Sequence, residues 1–155
     1  MRDIIQQATK DAMKSGEKRR LSTLRLVSAA IKDRDIAARV DEKGTATGRE
    51  RIEDVEIVQL LQKMIRQRRD SIEVYTQGGR LELADQEAAE ITIIEEFLPK
   101  QMGEDEIRAA AAAVIAEIGA GGLKDMGRVM GVMKERFPGV MDFGKASAFV
   151  KEALK

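Results

Sequence analysis

The side chains that could do chemistry here are clustered bases, a row of acids and a few glycines in awkward places. Lys18-Arg19-Arg20, with Arg25 further on, offers forked guanidinium donors that suit phosphate. The same run also reads as a solvated helix start, the weightier reading for a charge run. Lys63, Arg66 and Arg69 recur every three residues, which sets them along one helix face. The stretch from Glu82 to Glu96 carries the opposite sign through Glu82, Asp85, Glu87, Glu90, Glu95 and Glu96. Cross-helix ion pairing is therefore the plainer reading of these bases, and phosphate binding the other. Gly127 and Gly131 lie four apart inside a helical pattern, with Arg128 and Lys134 beside them. Glycine costs stability inside a helix, so the pair needs a reason: close approach of another helix, or of an RNA backbone.

Two weaker candidates drop out. Glu87, Glu90 and Glu95 could hold Mg2+ through carboxylate oxygens, but metal sites in helical bundles use Glu-x-x-His pairs, and this chain has no His. No metal and no cofactor are expected. Gly119-Ala-Gly-Gly-Leu-Lys124 is glycine-rich ahead of a helix. It lacks the Lys-then-Ser/Thr of a phosphate loop, and no strand precedes it, so it reads as a flexible connection.

Composition narrows the classes further. The absence of both Cys and His removes disulfides, thiolate nucleophiles, the usual zinc ligands and the commonest general base. No catalytic constellation is recognisable, so catalysis by the chain alone is not expected. Lys plus Arg equals Asp plus Glu at 27 each. No global field draws the chain to nucleic acid, and DNA is not expected, but a local patch suffices for RNA. Aromatics are only 3%, which favours reading RNA by shape over stacking single-stranded bases. No apolar run reaches membrane-spanning length, and Gln6, Gln7 and Lys10 interrupt any signal peptide. The expectation is a cytoplasmic protein without membrane contact.

The positioning elements are helices throughout. Ala, Leu, Ile, Glu, Lys and Arg dominate, a mixture that favours helix. Apolar spacing predicts helices over 1–15, 17–40, 52–77 and 81–97, with an exposed, mobile loop at 41–48. Val55, Val58, Leu61, Ile65 and Ile72 mark the third core face, and Leu83, Ala84, Ala88, Ile91, Ile94 and Leu98 the fourth. Leu98-Pro99 stops this unit. A second unit follows with helices from Glu104, Met126 and Phe143, the latter two capped by Asp125 and Asp142. The expected fold is all-α: a four-helix bundle-like domain at 1–99, a hinge at 99–103, and a three-helix tail at 104–155.

The motifs in combination resemble the YqeY family, free-standing relatives of the C-terminal part of the B subunit of aspartyl/glutamyl-tRNA amidotransferase. They are Arg20-Leu21-Ser22-Thr23-Leu24-Arg25-Leu26 with Ala29-Ala30-Ile31-Lys32, then Leu61-Gln62-Lys63-Met64-Ile65 with Arg68-Arg69-Asp70-Ser71-Ile72. Gly79-Arg80 with Leu83-Ala84 follows, then Glu87 and Glu90 with Ile94-Glu95-Glu96-Phe97-Leu98-Pro99-Lys100-Gln101, and finally Met126-Gly127-Arg128-Val129-Met130-Gly131. The likeness departs at Gly103, where the family pattern has a Ser-like cap, and around Phe137-Pro138-Gly139. The resemblance implies a tie to tRNA or to glutamine-dependent amide transfer, with the tail holding tRNA. On that basis Gly127, Arg128, Gly131 and Lys134 are the leading nucleic-acid contacts, and Arg19, Arg20, Arg25, Lys63, Arg66 and Arg69 the second tier. The rival is a module that docks an amidotransferase or an aminoacyl-tRNA synthetase, for which Met126, Met130, Met133 and Met141 would supply an adaptable surface.

Overall fold

The computed structural model describes residues 1–155. Its helices are α1 (Arg2–Ser15), α2 (Lys18–Ala38), α3 (Asp54–Gln77), α4 (Leu81–Glu95), α5 (Glu104–Ile118), α6 (Met126–Arg136) and α7 (Phe143–Leu154), with one 3-10 turn at Leu123–Asp125. The protein is all-α; the sole β feature is an isolated antiparallel bridge between Val40 and Ala46. No helix is long and apolar enough to cross a membrane. The chain divides into two compact units, Met1–Leu98 and Pro99–Lys155.

In the first unit α3 and α4 form a hairpin, α1 packs along α2, and α2 lies against α4 and the start of α3. Ile5, Val27, Ile31, Ile57, Leu61 and Ile94 are buried together between them, each contributing about 1.5–3 kcal/mol of transfer free energy. The α3–α4 turn follows from Gly78-Gly79. Gly79 takes φ 73°, a left-handed conformation that costs a β-carbon residue energy. It lets the Arg80 amide donate to the Tyr75 carbonyl at 2.8 Å.

Three details differ from the periodicity reading. The core face of α3 is Ile57, Leu60, Leu61, Met64 and Ile65, while Val55 is 61% exposed. The cause lies upstream: Asp35 accepts the Ile52 amide at 2.8 Å, which holds Ile52 outside the helix. Glu56 accepts the Glu53 amide at 2.7 Å, so the helix begins at Asp54 and Val55 falls on the outer side of the first turn. On α4 Ala88 is exposed and Glu87 half-buried, because the buried stripe runs Ala84, Ile91, Ile94 and Glu87 falls on it. Loop 41–48 is exposed as expected, but hydrogen-bonded: Asp41 accepts the Lys43 and Thr45 amides at 2.8 and 2.9 Å.

In the second unit α5, α6 and α7 enclose Ile107, Ala111, Val114, Val129, Met133, Met141, Ala146 and Val150. Asp142 caps α7 as expected, accepting the Gly144 and Lys145 amides at 2.9 and 3.2 Å. Asp125 does not cap α6. Its carboxylate turns back to accept the Gly121 amide at 2.9 Å, closing the glycine-rich connection, and that bond holds its carboxyl below the usual range. At Gly103 the glycine supplies no capping oxygen, but Glu106 accepts the Gly103 amide at 3.3 Å, half of a capping box. Gln101 and Met102 belong to this unit, donating to the carbonyls of Gly139 and Val140, each at 2.8 Å.

Candidate functional site

The leading candidates lie together on α6. Val129 and Met133 are fully buried and fix which way the helix faces. Gly127, Arg128, Gly131 and Lys134 are therefore turned outward, and all four are exposed. Lys124, exposed in the 3-10 turn, extends the row at its start. At about 1.5 Å rise per residue, the row from Lys124 to Lys134 spans about 15 Å. A β-carbon built at Gly127 or Gly131 meets nothing within 4 Å. Helix packing therefore does not account for this pair of helix-interior glycines. Arg128 is lightly held, with 3.3 Å to Asp125 and 3.4 Å to the Ile118 carbonyl, and its side chain is 62% exposed. Arg136 is committed, donating twice to Glu117 at 2.6 Å.

The second-tier bases in the first unit separate into two groups. Arg20 is bound across the bundle to Glu96 and more loosely to Glu17. Arg69 reaches Glu95 on α4 at 3.7 Å. Between them Arg68 and Glu90 form the most buried pair of the α3–α4 hairpin, at 2.8 Å. These contacts are the cross-helix ion pairing expected of the acid row. Glu87 is half-buried on the same helix; burial, then the Glu90 charge, raises its pKa against the pull of Arg68.

Arg19, Arg25, Lys63 and Arg66 stay exposed. Arg25 lines a shallow depression of about 380 Å³ with Lys18, Leu21, Ser22 and Leu26. Lys63 and Arg66 line a different cleft, together with Arg34. The three-residue repeat on α3 thus does not stay on one face. Each step of three falls about 60° short of a full turn, so Arg69 has rotated toward α4 while Lys63 and Arg66 look toward the end of α2. Two participants escaped the sequence reading. Lys124 was legible in principle, since 124, 127, 131 and 134 follow helical spacing. Arg34 was not, because only the meeting of α2 and α3 brings it to Lys63.

The four methionines divide between core and surface. Met133 and Met141 are fully buried, and Met126 and Met130 pack half-buried against the same core.

Fold and surface together define a two-unit, all-helical protein that carries local basic faces on a neutral chain. The chain belongs to the YqeY family: the family model described as Yqey-like protein matches residues 2–154. It is also similar to an uncharacterised protein of Schizosaccharomyces pombe, at 30% identity over 97 residues covering 63% of this chain and 71% of that one.

Proposed function

We propose that this YqeY-family protein is a cytoplasmic RNA-binding accessory protein that holds folded tRNA by its shape, and that it acts by binding in the setting of tRNA-dependent amide transfer. The observation that carries the reading is the outward face of α6. Two helix-interior glycines there leave room for a backbone to approach, and exposed Arg128 and Lys134 flank them. Gly131 forgoes about 0.8–1.0 kcal/mol of helix stability relative to alanine and Gly127, in the first turn, a smaller amount, and no neighbour within the chain offsets it. Arg19, Arg25, Lys63 and Arg66 supply further phosphate contacts; Arg20 and Arg69, engaged with carboxylates, contribute less. The amidotransferase setting rests on the family resemblance.

The test is binding of purified protein to bulk tRNA over a salt series. Affinity should fall linearly with log salt, with a slope that counts phosphate contacts. Arg128→Glu/Lys134→Glu should lower the affinity and flatten the slope while far-UV circular dichroism stays unchanged. No binding at low salt, or full affinity in the double variant, refutes the assignment.

A further inference from the structure

The meeting of α2 and α3 builds a cleft of about 330 Å³ lined by Arg34, Ile52, Glu56, Gln59, Leu60, Lys63 and Arg66. Small-ligand sites begin at about this size. Its walls are fixed by bonds that do not involve its cations. On one side Asp35, next to Arg34, accepts the Ile52 amide at 2.8 Å and is held by two bonds from Arg2 at 2.9 and 2.6 Å. Arg2 also donates to the Ile52 carbonyl at 2.9 Å. On the other side Glu56 is engaged by Arg49 and by the Glu53 amide.

The only carboxylate in the lining is thus already matched. Arg34, Lys63 and Arg66 have no carboxylate partner, unlike Arg2, Arg20, Arg49, Arg68 and Arg69; other arginines of the unit, such as Arg19 and Arg25, are also without one, but these three cations line one recess together. Three free cations around a preformed recess call for a compact anion. One phosphate group brings about −1.5 to −2 charges at neutral pH, short of three cations, while two linked phosphates match them. Ile52 and Leu60, both buried, floor the cleft with apolar surface, and the Gln59 amide adds a neutral donor and acceptor.

We propose that the Arg34–Lys63–Arg66 cleft is a binding site for a diphosphate-bearing small molecule. The site shares Lys63 and Arg66 with the second-tier RNA contacts but includes no residue of α6, and it does not rest on the RNA reading.

Titration calorimetry with inorganic pyrophosphate, on the full chain at low salt and without RNA, tests it. Saturable one-to-one binding is expected. It should weaken at least about tenfold in Lys63→Gln/Arg66→Gln and in Arg34→Gln, since charge-assisted hydrogen bonds are being removed. Lys10→Gln, an exposed charge of the same unit outside both proposed sites, should leave it unchanged, and orthophosphate should bind at least about tenfold more weakly. The three cleft side chains are exposed, and circular dichroism checks that each variant is folded. Absence of saturable binding, full affinity in either cleft variant, an equal loss in Lys10→Gln, or equal affinity for orthophosphate would overturn the proposal. Because RNA is omitted, these outcomes leave the tRNA reading to its own test.

Discussion

Replacing both α6 glycines by alanine separates stability from binding. Gly127 and Gly131 have ordinary helical backbones, not the left-handed conformation of Gly119 or Gly139. An added β-carbon meets open space at both positions. Gly131→Ala should therefore gain the full interior propensity difference, about 0.8–1.0 kcal/mol, and Gly127→Ala, in the first turn of α6, a smaller one, for about 1–2 kcal/mol together. For a domain of this size that raises the midpoint of the second unit's thermal transition by about 4–16 °C. Urea unfolding followed by circular dichroism reads the gain as a higher midpoint at unchanged slope. The two methyls would also stand where the proposed RNA backbone makes its closest approach, so tRNA affinity should fall while stability rises. A destabilised variant would show that a neighbour occupies the space. A stabilised variant with undiminished tRNA affinity would remove the argument that the glycines serve RNA.

Two further predictions concern the first unit. Asp35→Ala strands the Arg2 guanidinium and the Ile52 amide, both part-buried, and should cost about 3 kcal/mol in urea unfolding; a loss under about 1 kcal/mol would show that water replaces the carboxylate. Of the three perturbed carboxyls of this unit, Asp35 and Glu56 are lowered and Glu87 is raised, so Asp35 and Glu87 respond to acid in opposite directions. Hydrogen bonding from Arg2 depresses Asp35 below its usual 3.8, so its stabilisation is full above that value and is lost as pH falls through the folded pKa. Burial raises Glu87 above its usual 4.5, so its charged form strains the fold above the raised value and the strain is relieved as pH falls toward 4.5. Glu87→Gln should then stabilise the unit at neutral pH and flatten that part of the stability–pH curve. A curve that keeps its shape would place the titrating group elsewhere.

The sequence by itself determined the helices and their order, because helix propensity and 3.6-residue periodicity are local properties. It also placed Gly127, Arg128, Gly131 and Lys134 on one element, since residues three, four and seven apart share a helix face. Tertiary structure decided which way that face turned, by burying Val129 and Met133 behind it. It decided that Asp125 closes a loop instead of capping a helix, a choice between two acceptor geometries equally close in sequence. It moved the core face of α3 from Val55 to Ile57 and Leu60, because a carboxylate on another helix holds Ile52 outside the helix. It also sorted the bases: Arg20, Arg68 and Arg69 went to carboxylates on or beside α4, while Arg34, on α2, came to Lys63 and Arg66. Local spacing sets the angle of a side chain about its own helix. What that side chain meets depends on where the neighbouring helix crosses, and that is fixed only when the cores pack.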